Sequence, residues 1–242
     1  MENSKNISKT MKVLAKHFHY TQRTTLNRMR KPEKISNKKK FSGPRKSEYN
    51  EDFLWKPDPF KILISCLISL RTKDNTTKTV SEKLFKIADT PQKILKIPTK
   101  KLEKIIFSSG HYKKKTKTLK HVSKEILERF DNKVPDNKTK LLSIKGIGPK
   151  TANIVLCFAY QQLVLPIDTH CHRIPNRLGW VKTKTPEQTE LELTKILPKK
   201  YWREFNAIFV LFGKTICQPI SPFCSICPIE KYCPKINVIK TR

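Results

Sequence analysis

Three sets of residues in this chain have types and spacings suited to chemistry. The first centres on a lysine. In LLSIKGIGPKTANIVL, residues 141–156, Gly146 and Gly148 flank one isoleucine, Pro149 follows, and Lys150 comes next. The glycines allow a tight turn. Pro149 suits the first position of a new helix, where its missing N–H costs nothing. Lys150 would then stand in that helix's first turn. The positive end of a helix is an unfavourable place for an ammonium. Only a neutral amine is a nucleophile, so Lys150 is a candidate Schiff-base lysine. The same turn presents free backbone N–H groups that suit a phosphate, and two residues without side chains let a phosphodiester backbone come close.

The second set is LVLPIDTHCHR, where Asp168 stands eighteen residues after Lys150. A carboxylate between an apolar stretch and a helical pattern either caps the helix or handles charge and protons. The two roles are compatible, because a cap holds the carboxylate in a fixed position. His170 and His172 are two apart and share no helix face, so they are not expected to form a metal pair. The third set is CQPISPFCSICPIEKYC, which carries Cys217, Cys224, Cys227 and Cys233 in the spacing C-x6-C-x2-C-x5-C. Four thiolates in one loop fit a structural zinc or an iron–sulfur cluster. There is only one close pair and two thiolates arrive singly, which favours a [4Fe–4S] cluster wrapped by one segment, with zinc as the other option. Cys66 and Cys157 lie in apolar helices and read as core.

The chain must position these groups against a strongly charged partner. Its 242 residues carry 51 Lys plus Arg and 20 Asp plus Glu, a formal net charge of +31. A protein that works on a polyanion tolerates such self-repulsion best. Nucleic acid leads, and an anionic membrane surface is second. No stretch approaches the roughly 20 apolar residues of a membrane span. The N-terminus has no apolar core of the secretory kind, and seven cysteines are an odd number for a disulfide framework. An intracellular, reducing location is expected, nuclear or cytoplasmic, with a mitochondrial one as a further option.

Residues 1–48 hold 14 Lys and Arg and three acids. They read as a largely disordered basic arm for long-range attraction to DNA or for import, with a short helix possible in MKVLAKHF. From Asp58 the pattern turns helical. PFKILISCLIS is apolar nearly all round, so it is a buried helix. TVSEKLFKIA, TPQKILKI, KKLEKIIFS and a Lys-rich stretch of about 114–130 follow, with apolar spacings of three and four. A turn falls at 131–137. One helix is expected from Pro149 to Tyr160. THCHRIPNRLG, LELTKIL and REFNAIFVLFGKTI complete the set, and Pro175 should bend or delay its helix. The one strand-like run, LVLPI, is demoted by Pro166. The fold class is all-α.

LLSIKGIGPKTANIVL, PIDTHCHRI and the C-x6-C-x2-C-x5-C loop, in that order, together resemble endonuclease III, the helix-hairpin-helix DNA glycosylases with an iron–sulfur cluster. The match covers roughly residues 50–235. The resemblance implies two helical lobes flanking a DNA groove. A six-helix barrel would span 52–162, with the helix-hairpin-helix at about 137–160. A cluster lobe would comprise 163–242 with the segment before the barrel. It also implies a monomeric enzyme that removes oxidised pyrimidines from duplex DNA and then cuts the strand at the abasic site. The family's catalytic lysine falls on Lys150, its aspartate on Asp168 and its cluster ligands on the four cysteines. DNA contacts fall on Gly146, Gly148, Lys145 and Lys113. Arg71, in LISLRTKD, and His111, in SGHYKKK, take the positions that fill the gap left by a flipped base, although the family more often has a Gln and a bulky apolar residue there. QPISPF, between Cys217 and Cys224, lacks the basic residues common in bacterial relatives, so Lys113, Lys114, Lys115 and the N-terminal arm would supply that charge. Relatives specific for adenine or mismatched thymine generally lack the lysine. The alternatives are therefore a monofunctional glycosylase, disfavoured by Lys150, and a non-catalytic cluster-bearing DNA-binding protein, disfavoured by the Lys150 and Asp168 pair.

Overall fold

The computed structural model describes residues 2–18 and 58–242. Every regular element among them is helical. The chain divides into two compact units, Asn50–Gln162 and a second made of Leu163–Arg242 with the N-terminal segment.

In the first unit, α2 (Pro59–Ser69) is the central element. Asp58 caps it, accepting from the amides of Phe60 at 2.9 Å and Lys61 at 3.2 Å. Phe60, Leu63, Ile64, Leu67 and Ile68 are buried on several sides of it, as an all-round apolar helix requires. It packs against α3 (Asp74–Ile87), α6 (Tyr112–Arg129) and α8 (Pro149–Ile154). The short α4 (Pro91–Lys96) and α5 (Thr99–Ile105) lie against α6. α7 (Lys138–Leu142) begins on the side chain of Asn137, which accepts from the Lys140 amide at 3.2 Å, and leads into the glycine turn.

The single helix expected over 149–160 is not uniform. After Ile154 it widens into a π-helical turn, Val155–Ala159. Val155, Leu156 and Cys157 stay buried there, and the Gln162 amide reaches back to Leu156 O at 2.9 Å. The Tyr160 hydroxyl donates to Val134 O, and the Gln162 side chain donates to Asp136 O at 2.6 Å. The wider turn thus ties the end of this segment to the turn that precedes α7. Neither contact has a local periodicity that would reveal it.

The second unit holds α1 (Glu2–His17), α9 (Thr169–Arg177), α10 (Pro186–Ile196) and α11 (Trp202–Thr215). Phe205 stacks on Phe209 with centroids 4.2 Å apart, and Trp180 lies 5.7 Å from Phe209. α1 contains the short helix expected in MKVLAKHF, extends it back to Glu2, and corrects the reading of this part of residues 1–48 as a tail. Ile7, Met11 and Leu14 are fully buried in the core around Phe205 and Phe209. They recur at spacings of four and three, so the helical stripe was present in the sequence but hidden among lysines. The remainder of that arm, residues 19–48, lies outside the described residues. Pro175 does not delay its helix: α9 starts at Thr169, and Pro175 is its buried seventh residue. The helix stops two residues later, so the missing N–H removes only one bond from a helix already ending. Gly179, at φ +67, then turns the chain away.

Leu14→Ala should destabilise the protein by about 2–5 kcal/mol, the usual cost of emptying a filled core site. Urea unfolding would check this. Residues 1–18 acting only as a tether would give no change.

Candidate active site and cysteine loop

The two glycines of the hairpin serve different purposes. Gly146 has φ +104, a conformation that side chains resist, and a Cβ there would lie 2.8 Å from the Thr118 methyl on α6. Gly148 has an ordinary φ of −97, and a Cβ on it would meet nothing within 4 Å. The first glycine lets the chain turn against α6, and the second leaves an open surface. Leu141, Ile144 and Ile147 anchor the turn in the core, while Lys145, Gly148 and Lys150 face outward. The amide of Ile147 returns to Ile144 O at 3.0 Å.

Lys150 is exposed in the first turn of α8, and its neighbours Thr151 and Ala152 are buried. Beneath it lies the buried Cys66 of α2. Burial pushes the Cys66 thiol up, opposed by the Thr151 side chain, whose hydroxyl oxygen accepts from the thiol at 3.6 Å, and by the charge of Lys150. Cys66 and Cys157 are core residues, as expected.

Arg71 and His111 are both exposed and both left-handed, with φ of 53° and 57°. Lys113 and Lys114 are exposed as anticipated, but Lys115 is not available as a surface charge. Only 6% of its surface is accessible, and its amine faces inward.

In the second unit Asp168 is half-buried and caps α9. Its Oδ1 accepts from the amides of His170 at 2.9 Å and Cys171 at 2.8 Å. Among the described residues, Oδ2 accepts no hydrogen bond. His172 Nδ1 lies 2.6 Å from Thr189 Oγ1, a structural contact to α10. His170 packs so tightly on α11 that a Cβ at Gly213 would sit 2.2 Å from its Nδ1. Arg173 reaches from α9 to His170 Nδ1 at 3.1 Å and donates to Cys217 O at 2.7 Å. Arg177 donates to Cys217 Sγ at 3.3 Å and to Gln218 O at 2.7 Å. Sequence reasoning passed over both arginines. The available signal was their spacing of four behind Asp168, which places them on one helix face.

Cys217, Cys224, Cys227 and Cys233 are all free thiols and line one small, partly open cavity, walled by Ile174, Leu178, Phe212 and Ile229. Burial raises the thiols of Cys224, Cys227 and Cys233, reinforced by the neighbouring cysteines, and carries Cys227 up to about 12. Such thiols ionise when a cation compensates them. Among the described residues, no three His, Cys, Asp or Glu side chains are drawn together tightly enough to hold a single metal ion.

The HhH-GPD superfamily base excision DNA repair model matches residues 64–199, more than half of the chain. Endonuclease III of Thermotoga maritima is 44% identical over 73% of this chain and 83% of its own length. This chain belongs to the endonuclease III family. Endonuclease III homolog 2, chloroplastic, of Arabidopsis thaliana is 39% identical over 72% of this chain, which spans about half (48%) of that longer relative. A solved structure of a trapped endonuclease III–DNA covalent intermediate matches with a TM-score of 0.70 and 30% identity, covering 74% of this chain and 84% of that one.

The two hairpin glycines should separate by stability. Gly146→Ala should cost about 1–3 kcal/mol through backbone strain and the contact with Thr118, whereas Gly148→Ala should leave the melting temperature essentially unchanged. Equal losses in thermal unfolding would contradict the division of roles.

Proposed function

We propose that this chain removes oxidised pyrimidines from duplex DNA and then cuts the strand 3′ to the resulting abasic site. The observation that carries this reading is the exposed Lys150, held just past an open glycine turn in a member of the endonuclease III family. In this reading the first unit corresponds to the family's six-helix barrel domain, and 163–242 with the segment before the barrel corresponds to its cluster lobe. The Gly146–Gly148 turn, with Lys145 and Lys113, holds phosphates of the DNA backbone without reading bases. The damaged nucleotide leaves the stack, which damage makes easier. Arg71 and His111 fill the space it vacates, His111 by stacking.

Lys150 Nζ, as the free amine, attacks the sugar C1′. The glycosidic bond breaks, and its electron pair leaves with the base. Asp168 has one oxygen engaged as a cap and the other open, so it can stabilise positive charge developing on the sugar and accept or return a proton. The nitrogen loses a proton, and its lone pair then opens the sugar ring: the C1′–O4′ bond breaks, O4′ takes a proton, and a Schiff base forms between Nζ and C1′. That group acidifies C2′. Loss of the C2′ proton drives cleavage of the C3′–O bond, and the 3′ phosphate departs with its electron pair. Water then frees the lysine. A lysine in this role supports a combined glycosylase and lyase over base removal alone.

The four cysteines fit a [4Fe–4S] cluster. Four free thiols from one loop line one apolar-walled cavity, and their C-x6-C-x2-C-x5-C spacing, with one close pair, supports a [4Fe–4S] cluster over zinc. N–H donors already face two of the sulfurs, from Arg177 to Cys217 and from the Lys235 amide to Cys233. When bound, the cluster supplies a covalent staple for this loop. An intracellular site of action agrees with such a cluster.

Borohydride trapping on duplex DNA with one thymine glycol should give a covalent adduct that Lys150→Ala abolishes. Asp168→Asn keeps a good cap but loses the charge, so base removal should fall about a hundredfold or more with folding intact. No adduct with the unaltered protein, with DNA binding retained, would support a non-catalytic DNA-binding protein instead. Elemental analysis should find about four irons and four sulfides per chain, and Cys227→Ser should lose them. One zinc per chain would overturn the cluster assignment.

A further inference from the structure

Nothing in the reaction above uses Lys115, although it is the most unusually placed lysine of α6. Its neighbours Lys113, Lys114 and Lys117 are exposed, as a basic helix beside a polyanion would have them, while Lys115 points into the first unit. Its ammonium donates to Ile68 O at 2.6 Å and to Thr72 Oγ1 at 2.6 Å. Ile68 O belongs to the last turn of α2, where carbonyls lack helical partners and carry the negative end of the dipole. Thr72 Oγ1 is a junction. It also accepts from the Gly110 amide at 3.2 Å, and its own hydroxyl is directed to Leu70 O at 3.4 Å. One buried cation therefore holds both flanks of Arg71, and through Thr72 it also holds the residue before His111.

The two loops are also in direct backbone contact. A Cβ on Gly110 would lie 2.6 Å from Arg71 O, so no larger residue fits without separating them. Arg71 and His111 are both non-glycine residues at positive φ. Each such conformation is strained and persists only where the surroundings over-determine it. Two adjacent strained residues, one shared hydroxyl and one buried ammonium form a single device. Desolvation pushes the Lys115 amine down to about 8, so its charge is kept there at some cost.

We infer that Lys115 is a positioning residue that fixes the separation and direction of Arg71 and His111, so that the two enter the duplex together when a nucleotide is extruded. This rests on the reading of those two residues as the ones that fill the vacated space. Lys115 would touch neither DNA nor the reacting atoms. A lysine needed only for folding would affect every substrate alike, whereas a positioning role matters only when a base stack must be opened.

The test compares the full-length protein with Lys115→Met, which keeps the stem and removes the ammonium, and with the milder surface variant Thr72→Val. Two substrates are used: duplex DNA with one thymine glycol, and a single-stranded oligonucleotide with one abasic site, which needs no extrusion. For Lys115→Met, kcat for base removal from the duplex should fall about 10- to 100-fold, and for Thr72→Val it should fall less. Cleavage of the single strand should stay within about twofold for both. A 2-aminopurine opposite the lesion should brighten on binding to the unaltered protein and not to Lys115→Met. Equal losses on both substrates, or no loss on the duplex, would overturn the proposal. If the unaltered protein traps no adduct on the thymine glycol duplex, the role of Lys150 fails first, an outcome distinct from any failure of Lys115.

Discussion

One carboxylate oxygen governs the second unit. Asp168 Oδ1 takes two amide hydrogen bonds, from His170 and Cys171, and α9 starts there. α9 then carries Arg173 and Arg177 one turn apart, and their guanidiniums hold the carbonyls of Cys217 and Gln218 and the sulfur of Cys217. The cysteine loop is therefore hung from the helix that this carboxylate begins. The arrangement shows the capping role of Asp168 and is compatible with the other. A cap needs only one of the two oxygens, so the same side chain can fix a helix start and still present a carboxylate oxygen outward. The cap also restricts the side chain's rotation, which a group acting on a short-lived charge requires.

The lysines show how a chain of +31 separates structural cations from functional ones. Two of them are spent on helix ends in the first unit. Lys115 caps the end of α2 through Ile68 O, and Lys120 donates to Leu95 O at 3.2 Å and Ile97 O at 2.6 Å at the end of α4. Both sit on α6, so this one basic helix stitches two C-termini to itself while its other lysines face solvent. Cations are favourable at those termini, and burial of the long stems adds apolar contact.

Legibility in the sequence followed locality. The buried α2, the glycine turn and the Asp168 cap all announce themselves within a few residues, through apolar runs, Gly and Pro placement, or a carboxylate before a helical stripe. The misses were contacts set by distant partners. α1 was obscured because lysines surround Ile7, Met11 and Leu14, whose stripe makes sense only beside Phe205 and Phe209. Lys115 looked like one of three equivalent charges, since the carbonyl it serves lies 47 residues earlier. The widening of the helix after Ile154 depends on what Tyr160 and Gln162 find in the preceding turn. No propensity encodes that.

The loop between Cys217 and Cys224 is neutral in sequence, yet it is not without a cation. Arg242 lies 4.0 Å above the Phe223 ring, donates to Gln218 Oε1 at 2.7 Å and reaches Ser221 O through Nε and Nη2. Its amide bonds Pro222 O at 2.8 Å, and its carbonyl accepts from the Ser225 amide at 3.1 Å. A guanidinium in this position clasps the loop, and its N–H groups are turned toward carbonyls rather than outward. It can attract a phosphate through its field, which salt screens, but it has little left for a directed bidentate bond. The exposed Lys113 and Lys114, by contrast, are not turned inward in this way. In this chain the cysteine loop is better suited to holding α9 than to gripping a phosphate.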